Sequence, residues 1–251
     1  MFIMGLFTIP QVLDSMSKMS NPPIKLTPLH SFFQQCNVQL IEHQGWETPQ
    51  VYTTREAELE AAQQRVAIAD VSSNGKIMVQ GDQAHSFLAV VLGLPVVSVN
   101  AGTSVMDVRI YRLRNDIFFI STLPGKEEII KENLVTVTQE SDQFITITDV
   151  THGRSEIMVI GPNSQELLSK LCGLDFHPSV FPNMAAKQSG FAKTNQLIIR
   201  RDIVGLAAFS IIGARSLGEY LWHTVIEAGC EWDITLIGQS ALNTLQEQSS
   251  K

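Results

Sequence analysis

The sequence predicts an α+β fold with largely antiparallel sheets. Three observations carry that reading. Predicted helices alternate with strand pairs at hairpin spacing, not with single strands in strict βαβ order. A strand–Gly–helix pattern occurs twice, offset by roughly 80 residues, which exceeds the ~20–50 residues of a solenoid repeat and fits two related αβ halves packed as one body. The chain has 251 residues, 44% of them hydrophobic, enough for one large domain or two small ones with a core.

Met1 to Pro23 reads as an N-terminal extension. Its apolar start lacks a basic n-region and a small-residue cleavage site and contains Pro10, so it does not read as a signal peptide. Leu29 to Cys36 suggests a short helix and Val38 to Ile41 a strand. Gly45 to Pro49 is broken by Gly and Pro and reads as a turn. Arg55 to Ala67 predicts a helix, with Glu56, Glu58 and Glu60 placed where the helix dipole favours anions. In Ala69 to Gly81, Ile77 and Val79 alternate with Lys76, Met78 and Gln80 as in a half-buried strand.

Asp82 is the expected N-cap of a helix over Ala84 to Leu92. Val105 to Leu113 and Ile117 to Thr122 form an expected hairpin turned at Arg114 to Asp116. A helix opens at Gly125 and runs through Leu134, and Phe144 to Val150 is a strand. The second copy then begins. Asp149-Val150-Thr151 answers Asp70-Val71-Ser72, the run Glu156 to Gly161 answers Ile77 to Gly81, and a helix follows over Asn163 to Leu171. Gln196 to Arg201 and Ala207 to Ile212 read as strands meeting at Val204-Gly205. Ser216 to Ala228 reads as a helix with Leu217, Tyr220, Leu221 and Val225 on one face and Gly229 after it. A short strand over Ile234 to Ile237 and a helical turn or two over Ala241 to Gln246 complete a body spanning residues 24–246. Residues 247–251 read as a polar tail.

Composition narrows the function classes. The formal net charge is -7 and the pI about 5.4, and there is no basic run, which argues against a nucleic-acid partner. No segment reaches the ~20 apolar residues of a spanning helix, so no membrane partner is expected. The three cysteines, Cys36, Cys172 and Cys230, form no CxxC pair and suggest reduced thiols in a cytoplasmic protein, with neither a zinc site nor a disulfide framework. P-loop, GxGxxG, GxSxG and HExxH signatures are absent from the sequence.

Several stretches, in order, resemble the folate-binding superfamily of the glycine-cleavage T-protein (aminomethyltransferase). Thr27-Pro28-Leu29 resembles its opening TPL motif, and Gly45-Trp46-Glu47-Thr48-Pro49 its GWxMP turn. Asp70-Val71-Ser72 with Gly75-Lys76-Ile77 resembles DVSHMGKI, with Ser73 and Asn74 replacing His and Met. Val105 to Tyr111 resembles the strand IDDLxVY. Gly205 and Phe209 fall in the region of GYTGEDGFE, and Ile237-Gly238 in that of GLGARDTLR. The resemblance runs from Thr27 to about Leu245 and stops where longer members continue into a C-terminal barrel, so no barrel is expected here.

The resemblance implies a compact domain binding tetrahydrofolate, one-carbon transfer to it from an aminomethyl-lipoyl arm, and a lipoyl carrier as partner. It makes Asp107 the candidate catalytic and cofactor-binding carboxylate, set against the bland alternative of a solvent-facing Asp. Tyr111 and Ser121 join it as cofactor-binding candidates. Arg200, or Arg201, is the candidate to grip an acidic ligand tail, because Gln239-Ser240-Ala241 stand where the family has an Arg. Ile203 and Leu206 replace the Tyr and Glu of GYTGE, and a leucine cannot pair with ring N–H groups. The chain also resembles the gamma subunit of heterotetrameric sarcosine oxidase, which implies a second reading: a non-catalytic subunit with an eroded folate site and an oxidase as partner. His152, in a turn, reads as solvated, and Trp46 and Trp222 as packing residues.

Overall fold

The computed structural model describes residues 24–93, 97–105, 107–139 and 144–249. The expected N-terminal extension therefore lies outside the described residues. Twenty-one regular elements run in the order β1 (Lys25–Leu26), α1 (His30–Gln35), β2 (Leu40–His43), β3 (Trp46–Pro49), α2 (Arg55–Gln64), β4 (Ala67–Asp70), β5 (Gly75–Gln80), α3 (Ala84–Leu92), β6 (Ala101–Val105), β7 (Val108–Arg112), β8 (Ile117–Thr122), α4 (Glu127–Gln139), β9 (Thr146–Asp149), β10 (Arg154–Ile160), α5 (Ser164–Leu171), β11 (Ala186–Phe191), β12 (Thr194–Arg200), β13 (Ala208–Ala214), α6 (Gly218–Gly229), β14 (Thr235–Leu236) and α7 (Gln239–Ser249). They build a three-stranded sheet ordered β1-β3-β2, a six-stranded sheet ordered β11-β12-β13-β10-β4-β14, and a five-stranded sheet ordered β6-β7-β8-β5-β9. Among the described strands, only the β1–β3 and β14–β4 pairings are parallel. The fold is α+β and largely antiparallel, as the hairpin spacing predicts.

The two related units exchange strands. β4, a turn, β5, Gly81 and α3 form one; β9, a turn, β10, Gly161 and α5 form the other. β4 pairs with β10, and β5 pairs with β9, so the first strand of each unit lies in the sheet of the other unit's second strand. The turns match in detail. Ser72 N–H donates to Asp70 Oδ1 at 2.9 Å, and Thr151 N–H donates to Asp149 Oδ1 at 2.8 Å. These are Asx turns, in which a short carboxylate side chain captures the backbone two residues on. The same hydroxyls then bridge the units: Ser72 Oγ accepts from Glu156 N–H, and Thr151 Oγ1 accepts from Lys76 N–H, both at 2.9 Å. Separating the halves would orphan these buried backbone groups, so the halves share one body.

Each face of the two large sheets is covered. Ile77, Val79, Ile110, Phe118 and Ile120 point to the helical side of the five-stranded sheet, where they pack with Phe87, Leu88 and Leu134. On the outer side of the six-stranded sheet, Ile157, Val159, Ile198, Phe209 and Ile211 join Phe33, Leu167, Leu221 and Trp222 in the largest cluster. The inner faces meet through Tyr111, Phe119, Leu197, Ile199 and Ile212.

Several local expectations are corrected. Only Gln44-Gly45 turns, with φ of 53° and 79°; Trp46–Pro49 is strand β3, and Pro49 is tolerated at its end, opposite Leu40. Helix α2 stops at Gln64, because Val66 to Ala69 is a wholly buried apolar run that the sheet takes over. Asp82 does not cap α3: the N-cap position is Gln83 without a side-chain bond, and Ala84 N–H closes a turn onto Gly81 O. The expected strand from Val105 to Leu113 is two strands, β6 and β7, with Val105 opposite Val108, so Asp107 sits in the hairpin turn and not on a strand. Strand β9 begins at Thr146, and Phe144 is 92% exposed. Edge strand β11 is additional to the expected elements. Tyr220 is half-exposed, its hydroxyl donating to Ala192 O at 2.8 Å. Helix α7 runs through Ser249, past the expected start of the polar tail.

Candidate functional site

Strand alternation places a polar group at the centre of the space between the two large sheets. From the five-stranded sheet come Lys76, Arg109 and Ser121, which are register neighbours across β5, β8 and β7. From the six-stranded sheet come Glu156 and Ser210. Lys76 and Glu156 are buried, and Lys76 Nζ lies 3.1 Å from Glu156 Oε2. Lys76 Nζ also donates to Ser72 O at 3.1 Å and to Asn74 O at 2.7 Å. Ser210 Oγ donates to Glu156 Oε1 at 2.7 Å, and Asn74 Nδ2 lies 3.4 Å from the same oxygen. Both charges are thus paired and hydrogen-bonded, the condition for burying an ion pair.

Beside this group the sheets part into a cleft of about 450 Å³, lined by Asn74, Ser104, Asp107, Arg109, Met184, Arg201 and Ile203 among others. A wider groove of about 670 Å³ beside Pro28 and Glu219 is shallow and lies away from the intersheet space. In the cleft, burial, and after it the like charge of Arg201, lower the pKa of Arg109, against the fields of Tyr111, Glu156 and Asp107. The Tyr111 hydroxyl is pushed up to about 12, chiefly by burial, and approaches Met184 Sδ at 3.8 Å. It remains an O–H donor across the physiological range.

The sequence-predicted residues divide. Asp107 lines the cleft and is exposed, on the hairpin turn at its mouth. Tyr111 is buried on the same face of β7, two residues beyond Arg109, with its hydroxyl at a lining residue. Ser121 is buried on the inner face of β8, between Lys76 and Arg109 in register and behind the lining. Arg200 is turned away from the cleft. Leu197 and Ile199 face inward, so Ile198 and Arg200 face the helical layer. There its Nε and Nη2 donate to Asp202 at 2.8 and 3.0 Å, and its Nη1 to Phe181 O at 2.9 Å. Arg201, one residue on, lines the cleft instead. Arg109, Asn74 and the Lys76–Glu156 pair were not singled out as site residues from sequence. The available signal for Arg109 was its spacing of two from Tyr111. His152 stacks on buried Trp46, with ring centroids 5.0 Å apart and an interplanar angle of 19°, away from the cleft.

A family model described as the GCVT N-terminal domain matches residues 29–249. The chain belongs to the GCVT N-terminal domain family. This GCVT chain is 27% identical over 240 residues to an aminomethyltransferase of Chloroherpeton thalassium, covering 89% of this chain and 64% of that protein. It is 24% identical over 235 residues to an aminomethyltransferase of Bacillus velezensis, covering 89% and 63%. It therefore spans just under two thirds of the length of these relatives. Among solved structures, the glycine cleavage system aminomethyltransferase T of Bartonella henselae superposes with a TM-score of 0.75 at 16% identity, covering 89% of this chain and 62% of that one. A chain of the heterotetrameric sarcosine oxidase of Corynebacterium sp. U-96 superposes with a TM-score of 0.59 at 22% identity, covering 70% of this chain and 91% of that one. Among the described residues of this GCVT domain, no group of three or more His, Cys, Asp or Glu is arranged to hold a metal ion, and no helix is long and apolar enough to cross a membrane.

Proposed function

We propose that this GCVT domain binds a reduced folate in the intersheet cleft, with Asp107 as the carboxylate that meets its ring N–H groups. The observation that carries the reading is the placement of Asp107 at the mouth of a cleft of about 450 Å³ whose walls also offer Asn74 and Ser104. A carboxylate accepts two parallel N–H bonds, which suits the edge of a pterin. The volume is within the usual range of small-molecule sites. When bound, tetrahydrofolate supplies the nitrogen that accepts a one-carbon unit. The chain's own part is positioning: Asp107 orients, Asn74 and Ser104 offer hydrogen bonds, and the buried Tyr111 keeps its proton beneath the lining. Titration calorimetry with tetrahydrofolate and 5-formyl-tetrahydrofolate tests this. Micromolar binding supports the reading, and its absence at millimolar ligand removes it.

A second reading has its own support. Ile203 lines the cleft and Leu206 packs toward the apolar cluster that includes Leu242 and Leu245, so the positions of the family's Tyr and Glu offer no polar contact. A subunit that has lost folate chemistry and stabilises a partner oxidase fits that loss. Absence of folate binding together with stoichiometric capture of an oxidase from the source cell selects it.

A further inference from the structure

Most arginines in the described structure spend their donors. Arg200 is held by Asp202 and Phe181 O, Arg112 by Val97 O at 3.0 Å, and Arg215 by Leu26 O at 2.8 Å. Arg109 and Arg201 do not. Both are half-buried and both line the cleft, yet neither guanidinium has a hydrogen bond or ion pair among the described residues. They stand within electrostatic reach of each other, and the proximity works against the protonated form of Arg109. The nearby carboxylates cannot neutralise both. Asp202 is committed to Arg200 in a two-pronged pair. Glu156 is committed to Lys76 and Ser210. Asp107 acts on Arg109 through its field only, without an ion pair.

Two unpartnered like charges in a half-buried cleft are a standing cost to the folded chain. An oxyanion removes it, because carboxylate and phosphate oxygens match the fork of a guanidinium. We propose that Arg109 and Arg201 form an oxyanion subsite in the cleft, taking the carboxylate or phosphate end of the bound ligand. This rests on the cleft being the ligand site, as proposed above, and adds the charge class that the cleft selects.

The test is titration calorimetry of the full chain at low ionic strength with glutarate and, separately, with inorganic phosphate. Wild type is compared with Arg109→Gln and Arg201→Gln, and each protein is also melted with and without the anion. The expected result is binding of at least one anion by wild type, weakened about tenfold or more in each variant and weakened by added salt. Preference for glutarate assigns a carboxylate-ended ligand; preference for phosphate assigns a phosphorylated one. Without anion, both variants should melt at or above the wild-type temperature, since the substitution relieves repulsion and breaks no bond. Arg201→Lys keeps the charge without the fork and should fall between wild type and Arg201→Gln. No anion binding by wild type, binding by the Gln variants as tight as that of wild type, or variants that melt lower than wild type without anion each overturn the subsite. Tetrahydrofolate binding unaffected by either Gln substitution overturns the subsite and leaves the folate reading standing. Anion binding that follows the expected pattern, with no tetrahydrofolate binding, does the reverse.

Discussion

Lys76 and Glu156 occupy matching places in the two strand-exchanged units, and their side chains meet at 3.1 Å where the units interlock, with both residues buried. The pair is worth little as a net source of stability, because desolvation offsets most of the attraction. Its loss on one side only is another matter. Lys76→Met leaves Glu156 buried with Ser210 and Asn74 alone, and should cost about 3–5 kcal/mol. The double substitution Lys76→Met with Glu156→Leu should recover much of that. Chemical denaturation of the two single variants and the double variant gives the coupling directly; independent, additive losses would show that the pair does not act as a unit.

Glu58 predicts a second large effect, at a residue that does not line the cleft. It is wholly buried, and its carboxylate gathers three backbone N–H groups: Tyr52 at 2.6 Å and Thr53 at 3.1 Å on Oε1, and Gly238 at 2.9 Å on Oε2. It ties the segment before α2 to the start of α7. Glu58→Gln turns one accepting oxygen into a donor facing an N–H. The expected loss is about 1–3 kcal/mol or more in denaturant unfolding, and a loss within error of zero would mean that the loop moves to satisfy itself.

Asp107 should behave in the opposite way. Its carboxylate is exposed on a turn and takes part in no ion pair among the described residues. Asp107→Ala should leave stability within about 0.5 kcal/mol of wild type while weakening tetrahydrofolate binding in calorimetry. An unchanged isotherm removes Asp107 from the site.

These contrasts bear on what the sequence could reveal. The repeat was legible because turn chemistry is local: Asp70-Val71-Ser72 and Asp149-Val150-Thr151 each close an Asx turn from residues two apart. Strand exchange between the units was not legible, because pairing partners are set by packing far along the chain. Asp107 was found by resemblance, yet its place on a turn was missed, since Val105 to Leu113 reads as one apolar-rich strand and only the register of Val105 with Val108 divides it. Arg200 and Arg201 are adjacent in sequence and opposite in space. Choosing between them requires the face of β12, which Leu197 and Ile199 establish only once the sheet they face is known.

Asp70 supplies a pH-dependent prediction. Burial raises its pKa, against hydrogen bonds from Ser72 and Thr27 and the field of Lys76. A folded-state pKa above the unfolded one means that the native chain holds the proton more tightly. That contribution to stability is complete below the unfolded carboxyl range and is lost as pH rises through the raised folded value. Asp70→Asn keeps the Oδ1 that accepts from Ser72 N–H and cannot ionise. The variant should be at least as stable as wild type at neutral pH, and its advantage should shrink on acidification toward the ordinary carboxylate range. An advantage that grows on acidification would contradict the assignment.

Gly161 closes the second unit's strand–Gly–helix turn at a φ of +126°, and a Cβ there would meet Arg65 O at 2.6 Å and Ala62 O at 2.8 Å. Those carbonyls belong to the C-terminal end of α2, whose position is held by the core around Val66 and Ile68. Gly161→Ala therefore carries both backbone strain and a collision with atoms that cannot swing aside. Gly205 offers the comparison: its φ is +75°, it is exposed, and nothing lies within 4 Å of a built Cβ. Gly205→Ala should cost only the ~1–2 kcal/mol of a left-handed residue. Gly161→Ala should exceed it by at least another ~1–3 kcal/mol, as overpacking does. Equal losses in thermal or denaturant unfolding would mean that α2 yields at its end, and that the approach of strand to helix is looser than these contacts require.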